Sequence, residues 1–348
     1  MFSSRALKVF PIVSIVLSFA AAGVSQVARG RSPQELNQYD QREQLPNGKG
    51  WSAAHEYSTP ANVGTSASTD GAAATEDPTA VRSDGAEPIG YVANPGGPTP
   101  VSPITYHGGP VMLGTTNVYL IWCGDWSSDR AAQNLIPEFV SALGGTRWFN
   151  INTTYKNKAG QHVANAVHYS GHTSNTSSYK TLNDANVESI VTNAIKDGAL
   201  PKDPHGVYFV LTAPGVKETS GFCTQYCGWH THASLNGTDI KYAFVGDPKN
   251  QCAAACEQQT TRSPNGDSGA DGMVSIIAHE LSESVTDPDL NAWFDSSGEE
   301  NADKCAWQFG AEFAATNGAQ ANVNVGTREW LIQENWVNAT KGFCAKAF

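Results

Sequence analysis

The chain has 348 residues, with 33 acidic side chains against 22 basic ones and a formal charge of −11; its pI is near 5.2. No polybasic cluster breaks this acidic balance, so nothing offsets phosphate repulsion, and nucleic acid or an anionic lipid surface is excluded as a partner.

At the N-terminus, Arg5 and Lys8 precede an uncharged apolar run from Val9 to Val24 that ends in Ala20, Ala21, Ala22 and Gly23. That order of basic, apolar and small residues is a secretory signal peptide, placed at residues 1–25. The run falls short of the roughly 20 apolar residues of a spanning helix, so no membrane span is expected. Residues 26–100 are rich in Ser, Ala, Gly, Thr and Pro, as in Pro95-Gly96-Gly97-Pro98-Thr99-Pro100. With few large apolar side chains to offset ordering entropy, they read as a pro-segment or linker. All seven cysteines and eight of the nine tryptophans follow, so residues 101–348 form the expected globular domain.

Within it, Asn117 to Trp122, Val163 to Tyr169, Val207 to Thr212 and Lys241 to Val245 are rich in β-branched and aromatic residues and predict strands. Arg130 to Leu143 and Asp184 to Asp197 carry apolar residues at helical spacing, the second with Val187, Ile190, Val191 and Ile195 before Gly198. The fold class is mixed α/β (α+β), a single domain, and no internal repeat interrupts it. Sequons at Asn152, Asn175, Asn236 and Asn338, together with the cysteines, agree with an oxidising, glycosylating compartment.

The chemistry lies in the segment Asp271 to Glu283. On a helix at about 100° per residue, Val274, Ile277, Ala278, Leu281 and Val285 share one face, and Gly272, Ile276, His279 and Glu283 the opposite one. His279 and Glu283 are then neighbours one turn apart that can share a metal ion, with Glu280 placed to activate water. The pattern His279-Glu280-x-x-Glu283 is a zincin-like variant of the two-histidine motif. Such a pair opposite an apolar stripe is also an ordinary solvated helix face. Downstream, Glu299-Glu300-Asn301-Ala302-Asp303 offers a further ligand, as in thermolysin-type peptidases. Glu300 is assigned as third ligand and Asp303 as the residue that orients a histidine ligand; Glu299, His230 and His232 are alternatives. One histidine with two carboxylates suits Zn²⁺ and also admits Mn²⁺ or Ca²⁺.

Two other motifs compete. Asp287-Pro288-Asp289-Leu290-Asn291 begins like a calcium loop, but Ala292 and Gly298 replace the glycine and glutamate that an EF-hand requires. Gly266-Asp267-Ser268-Gly269 is similar to a serine-protease nucleophile loop without a partner histidine segment.

Many short blocks in order resemble the plant exordium and phosphate-induced proteins from Tyr106 almost to the C-terminus. They are Tyr106 to Val111, Val118 to Trp122, Phe222-Cys223, Cys227-Gly228-Trp229-His230, Gln251-Cys252 with Cys256, and Pro264 to Asp267. Asp271-Gly272-Met273, His279-Glu280-Leu281, Asn291-Ala292-Trp293, and Ala302-Asp303 with Cys305 continue the series. The resemblance implies an apoplastic or cell-wall protein, linked in plants to growth, cell expansion and brassinosteroid or phosphate response, with no established reaction. The stretch before Val101, and Cys123 where plant members tend to have an aromatic residue, mark an outlying member.

Seven cysteines leave one odd thiol, and six allow many pairings. The expectation is a Cys305–Cys344 bridge, Cys223, Cys227, Cys252 and Cys256 pairing among themselves, and Cys123 free or intermolecular. A zinc cluster of those four cysteines is disfavoured in an oxidising compartment. The functional expectation is a secreted zinc-dependent hydrolase acting on an extracellular protein, peptide or cell-wall substrate. His279, Glu283 and Glu300 would hold the ion, with Glu280 as general base. The alternative is a non-catalytic wall-associated or signalling module.

Overall fold

Three runs in which nearly every residue is buried form the centre of the computed structural model, which describes residues 103–175 and 179–348. The signal peptide and the low-complexity stretch lie outside the described residues. The runs are β1 (Thr116–Cys123), β3 (Gly206–Thr212) and β5 (Thr238–Gly246), flanked by β2 (Val167–Asn175) and β4 (Gly228–Leu235) in a five-stranded sheet. The strand order is β2-β1-β3-β5-β4. β1 pairs in parallel with β2 and β3, β3 in parallel with β5, and β4 runs antiparallel to β5. Parallel strands covered on both faces are apolar throughout, which is why Tyr208-Phe209-Val210-Leu211 carries no period of two.

The chain moves from β1 to β2 through α1 (Ala132–Leu143) and from β2 back past β1 to β3 through α2 (Asp184–Lys196). Right-handed crossovers in opposite directions put these helices on opposite faces. The third helix, α3 (Ser268–Thr286), packs on α1 and on strands β4 and β5. The result is a mixed α/β domain with helices on both sides of its sheet. Among the described residues no helix is long and apolar enough to cross a membrane.

Local signals account for most boundaries. α1 buries Ala132, Leu135, Ile136, Phe139, Val140 and Leu143, and Phe139 meets Trp330 edge-on at 5.1 Å. α2 is closed at its N-terminus by a capping box between Asn183 and Asn186, and stops at Gly198, whose φ is +74°. The strand expected over Val163 to Tyr169 instead runs from Val167 to Asn175. As an edge strand it includes polar His168, Ser170, Thr173 and Ser174, so its pattern lacks an apolar run. β4 was not expected; its turn is Asn236-Gly237, both at positive φ (52° and 76°), the chemistry of a tight hairpin.

Two expectations need correction here. The opposed faces of α3 are not an apolar face and a solvated one, because every residue from Gly269 to Thr286 is buried. β4 and the segment after Thr286 together cover the face that the helical wheel leaves open. Asn152 is fully buried, and its amide donates to Ser282 Oγ (3.3 Å) and accepts from Asn301 and Asn335 (3.1 Å each). The folded chain therefore has no room for a glycan there, while Asn236 is exposed and Asn175 and Asn338 are half-buried. The cysteines pair as Cys223–Cys252, Cys227–Cys256 and Cys305–Cys344, leaving Cys123 as a buried free thiol.

Candidate metal centre

A helix buried on all sides must satisfy its polar side chains internally. On α3, Ser282, Ser284 and Thr286 do so by donating to the carbonyls of Ala278, Glu280 and Ser282 one turn back (2.7–3.0 Å). Asp271 accepts from the Asn265 backbone and side chain (2.9 and 2.6 Å). His279, Glu280 and Glu283 have no such local solution, and the rest of the chain brings further donors to them.

His279 Nε2 lies 3.0 Å from Glu283 Oε1 and 3.3 Å from Asp303 Oδ1. On the far side of the same carboxylate, Glu283 Oε2 lies 3.5 Å from Nε2 of His230, which in turn is 3.1 Å from Glu300 Oε2. His230 arrives on β4, opposite Ala243 of β5. Close approach of α3 to that strand depends on Gly228, since a Cβ there would meet Ile276 Cγ2 at 2.5 Å and Glu280 Oε1 at 3.1 Å. The loop bearing Glu300 and Asp303 is tied down by Glu300 N–H donating to Asp303 Oδ2 (3.1 Å) and Asp303 N–H donating to Glu283 Oε1 (3.2 Å). Asn152 holds the same loop through Asn301.

On its other ring nitrogen, His279 Nδ1 meets the Gln333 amide at 2.6 Å, and that amide also donates to Ala302 O (3.2 Å). Gln333 is held by its own backbone: its N–H donates to Ser275 Oγ, and its carbonyl accepts from Trp148 Nε1 (3.2 and 2.9 Å). Such a partner orients a ligating imidazole. Metal uptake by Nε2 requires the proton on Nδ1, with the Gln333 amide turned so that Oε1 accepts it in exchange for the bond to Ala302 O.

Burial and mutual repulsion set the protonation of the cluster. Burial, reinforced by neighbouring carboxylates, pushes Glu280 and Glu300 well above the usual carboxylate range, and burial lifts Glu283 to about 7. Burial drives His230 down to about 3, so it is neutral. For His279 burial pulls down, but Glu283 and Asp303 outweigh it and raise the imidazole strongly. Asp303 is held low despite burial by the neighbouring His279 imidazole. Without a metal, the cluster stays compact by holding protons.

A divalent cation fits this donor set. His230, His279, Glu280, Glu283 and Glu300 are each at most 1% exposed, and the Asp303 side chain is 6% exposed. Among the described residues no Lys or Arg pairs with these carboxylates. Both oxygens of Glu280, Glu283 Oε2, Glu300 Oε1 and Asp303 Oδ1 accept no hydrogen bond. Ligand atoms within 4.8 Å of one another occur in His279–Glu280–Glu283 and in His230–Glu283–Glu300.

Each residue singled out in the sequence has a place. Asp303, expected behind a histidine, faces His279 Nε2 directly, while Glu300, expected as third ligand, turns to His230. Glu299 instead pairs with Lys304 at 3.4 Å, its side chain 54% exposed. His232 joins Asp239 (2.8 Å) and Asp289 (3.8 Å) in a separate half-buried group that includes Lys241. Asp287 spends Oδ1 on the backbone N–H groups of Asn291 and Ala292, closing the end of α3. Asp267 caps the start of α3. Sequence reasoning missed Gln333, which no motif marks. It also missed the buried Asp129 and Asp247, which follow β1 and β5; with Asp267 at the start of α3 they surround Lys249, which pairs with Asp129 and Asp267 (3.3 and 3.2 Å).

The phosphate-induced protein 1 conserved region matches residues 104–330. Protein EXORDIUM-like 3 of Arabidopsis thaliana is 32% identical over 273 residues, covering 67% of this chain and 80% of that protein. Protein EXORDIUM-like 5 of the same plant is 32% identical over 218 residues, 55% of this chain and 59% of that protein. Protein PHOSPHATE-INDUCED 1 of Nicotiana tabacum is 26% identical over 219 residues, 55% of this chain and 67% of that protein. No solved structure matches the chain.

Proposed function

Since the chain belongs to the phosphate-induced protein 1 family, we propose that it is a secreted, disulfide-bonded hydrolase dependent on a divalent ion, zinc by preference, acting on an extracellular protein, peptide or cell-wall substrate. The observation that carries this reading is Glu280. A buried carboxylate with neither oxygen hydrogen-bonded, beside a His–Glu pair, is costly as a structural residue and suited to a proton acceptor.

His279 Nε2, Glu283 Oε1 and Asp303 Oδ1 converge from the helix and the loop and would hold the ion. When bound, it supplies Lewis acidity toward a carbonyl and toward water. Glu280, one residue along the helix, takes the proton from the attacking water and returns it to the leaving group. Gln333 fixes the ring of His279, and the Asn152 amide fixes the loop that presents Asp303.

The test is the purified secreted protein, loaded with Zn²⁺ and assayed on peptide and wall-polysaccharide mixtures beside Glu280→Gln. Metal retained with turnover lost supports the reading; full activity in the variant overturns it. The near-complete burial of the cluster favours a second reading, a non-catalytic module in which the ion locks the fold. In that case chelation lowers stability and the wild type turns over none of the mixtures.

A further inference from the structure

We infer that the centre holds two divalent ions bridged by Glu283, the second in a site made by His230, Glu283 and Glu300. This rests on the metal reading above and adds a position to it. Glu283 has its two oxygens on different histidines: Oε1 is 3.0 Å from His279 Nε2, and Oε2 is 3.5 Å from His230 Nε2. The two sets of converging ligand atoms, His279–Glu280–Glu283 and His230–Glu283–Glu300, share that one residue. A carboxylate flanked by a separate histidine and a separate further carboxylate on each side has the arrangement of a bridge.

Charge leads to the same number. Glu283, Glu300 and Asp303 carry three negative charges once they ligate, because ligands bind deprotonated, and Glu280, ionised as the base, adds a fourth. Neither histidine adds charge when it binds a metal, and no Lys or Arg pairs with the four carboxylates among the described residues. One divalent ion leaves two negative charges buried and unpaired; two ions bring the cluster to neutrality. The loose donors are distributed to match. Glu300 Oε1 and Glu283 Oε2 are buried without hydrogen bonds on the His230 side, and Asp303 Oδ1 and the Glu280 oxygens on the His279 side.

Two nitrogens and three carboxylates make an oxygen-rich set that accepts Zn²⁺ and Mn²⁺ alike. Paired ions sharing a carboxylate lie about 4 Å apart and can clamp both the attacking and the leaving oxygen of a hydrolysis.

The experiment is metal counting on the full secreted chain, stripped with chelator, reloaded with Zn²⁺ alone and passed over a desalting column, beside His230→Gln and His279→Ala. The expected result is two zinc ions per wild-type chain and one in His230→Gln. Wild-type protein loaded with Mn²⁺ gives a readout independent of variant folding, since a bridged pair shows an exchange-coupled electron paramagnetic resonance spectrum. One ion per wild-type chain, lost in His279→Ala and kept in His230→Gln, overturns the bridge and leaves the preceding reading intact. An isolated-ion spectrum from fully loaded wild type also overturns it. No metal in any sample overturns both.

Discussion

Replacing Glu283 with Gln should stabilise the metal-free protein at neutral pH and destabilise the metal-loaded one. Burial lifts this carboxyl to about 7 in the folded chain, against about 4.3 for an unperturbed glutamate. A raised carboxylate means that between those values the folded state holds a proton that the unfolded state has released, so stability falls as pH rises through the window. At roughly 1.4 kcal/mol per pK unit the penalty is about 3 kcal/mol by pH 7.5. The amide of a glutamine resembles the protonated acid and avoids that cost, so metal-free Glu283→Gln gains about 3 kcal/mol over metal-free wild type at pH 7.5 and almost nothing at pH 4.5. For a domain of this size that gain corresponds to roughly 6–12 °C in Tm. With Zn²⁺ present the sign reverses, because the variant lacks a ligand that the ion needs. The assay is urea unfolding of both proteins at the two pH values, with chelator and with saturating zinc. Asp247 and Asp267 are also raised by burial, but they are common to both proteins and cancel in the comparison. A difference between variant and wild type that is the same at pH 4.5 and 7.5 refutes the argument.

Gln333→Leu removes the partner of His279 Nδ1 and is expected to weaken zinc affinity by roughly 10–100-fold, read by competition with a chromophoric chelator. Cutting the Cys305–Cys344 bridge by a double change to Ser opens a loop with a sequence separation of 39 and should cost about 4 kcal/mol in urea unfolding. Lys249→Met takes the paired cation from Asp129 and Asp267. Burial and the neighbouring aspartates lift Asp247 to about 8, so folded wild type already loses stability as pH rises from about 4 toward 8. The variant should lose it more steeply, its deficit larger at pH 8 than at pH 5. Glycopeptide mass spectrometry of the secreted protein should find a glycan at exposed Asn236 and none at buried Asn152.

The elements that the sequence made legible are those whose environment is symmetric along the chain. β1, β3 and β5 are buried on both faces, so their apolar runs identify them without any knowledge of neighbours. The capping residues around Asp184 to Lys196 act within one turn and can be read in one turn. The helix of His279 and Glu283 was equally readable as a helix, but its burial was not. The segments that cover it, β4 before it and Glu300 to Val337 after it, lie at distances no periodicity spans.

The ligand set shows the same limit at finer scale. Spacing put Glu300 and Asp303 near His279 as a pair but could not assign their directions. Those depend on one hydrogen bond, from the Glu300 N–H to Asp303 Oδ2, which leaves Asp303 Oδ1 facing His279 and Glu300 free to reach His230. His230 lies in a strand, β4, whose Trp-His-Thr-His stretch has no clean alternation of apolar and polar residues; the signal for it was the Asn236-Gly237 turn beyond. Asn152 fits an acceptor tripeptide, yet three buried hydrogen bonds commit its amide to Ser282 on α3, to Asn301 on the loop that carries Asp303, and to Asn335. A motif names the groups able to bind a cation. Which of them meet, and how many ions they neutralise, is decided by segments distant in the chain that converge on Glu283.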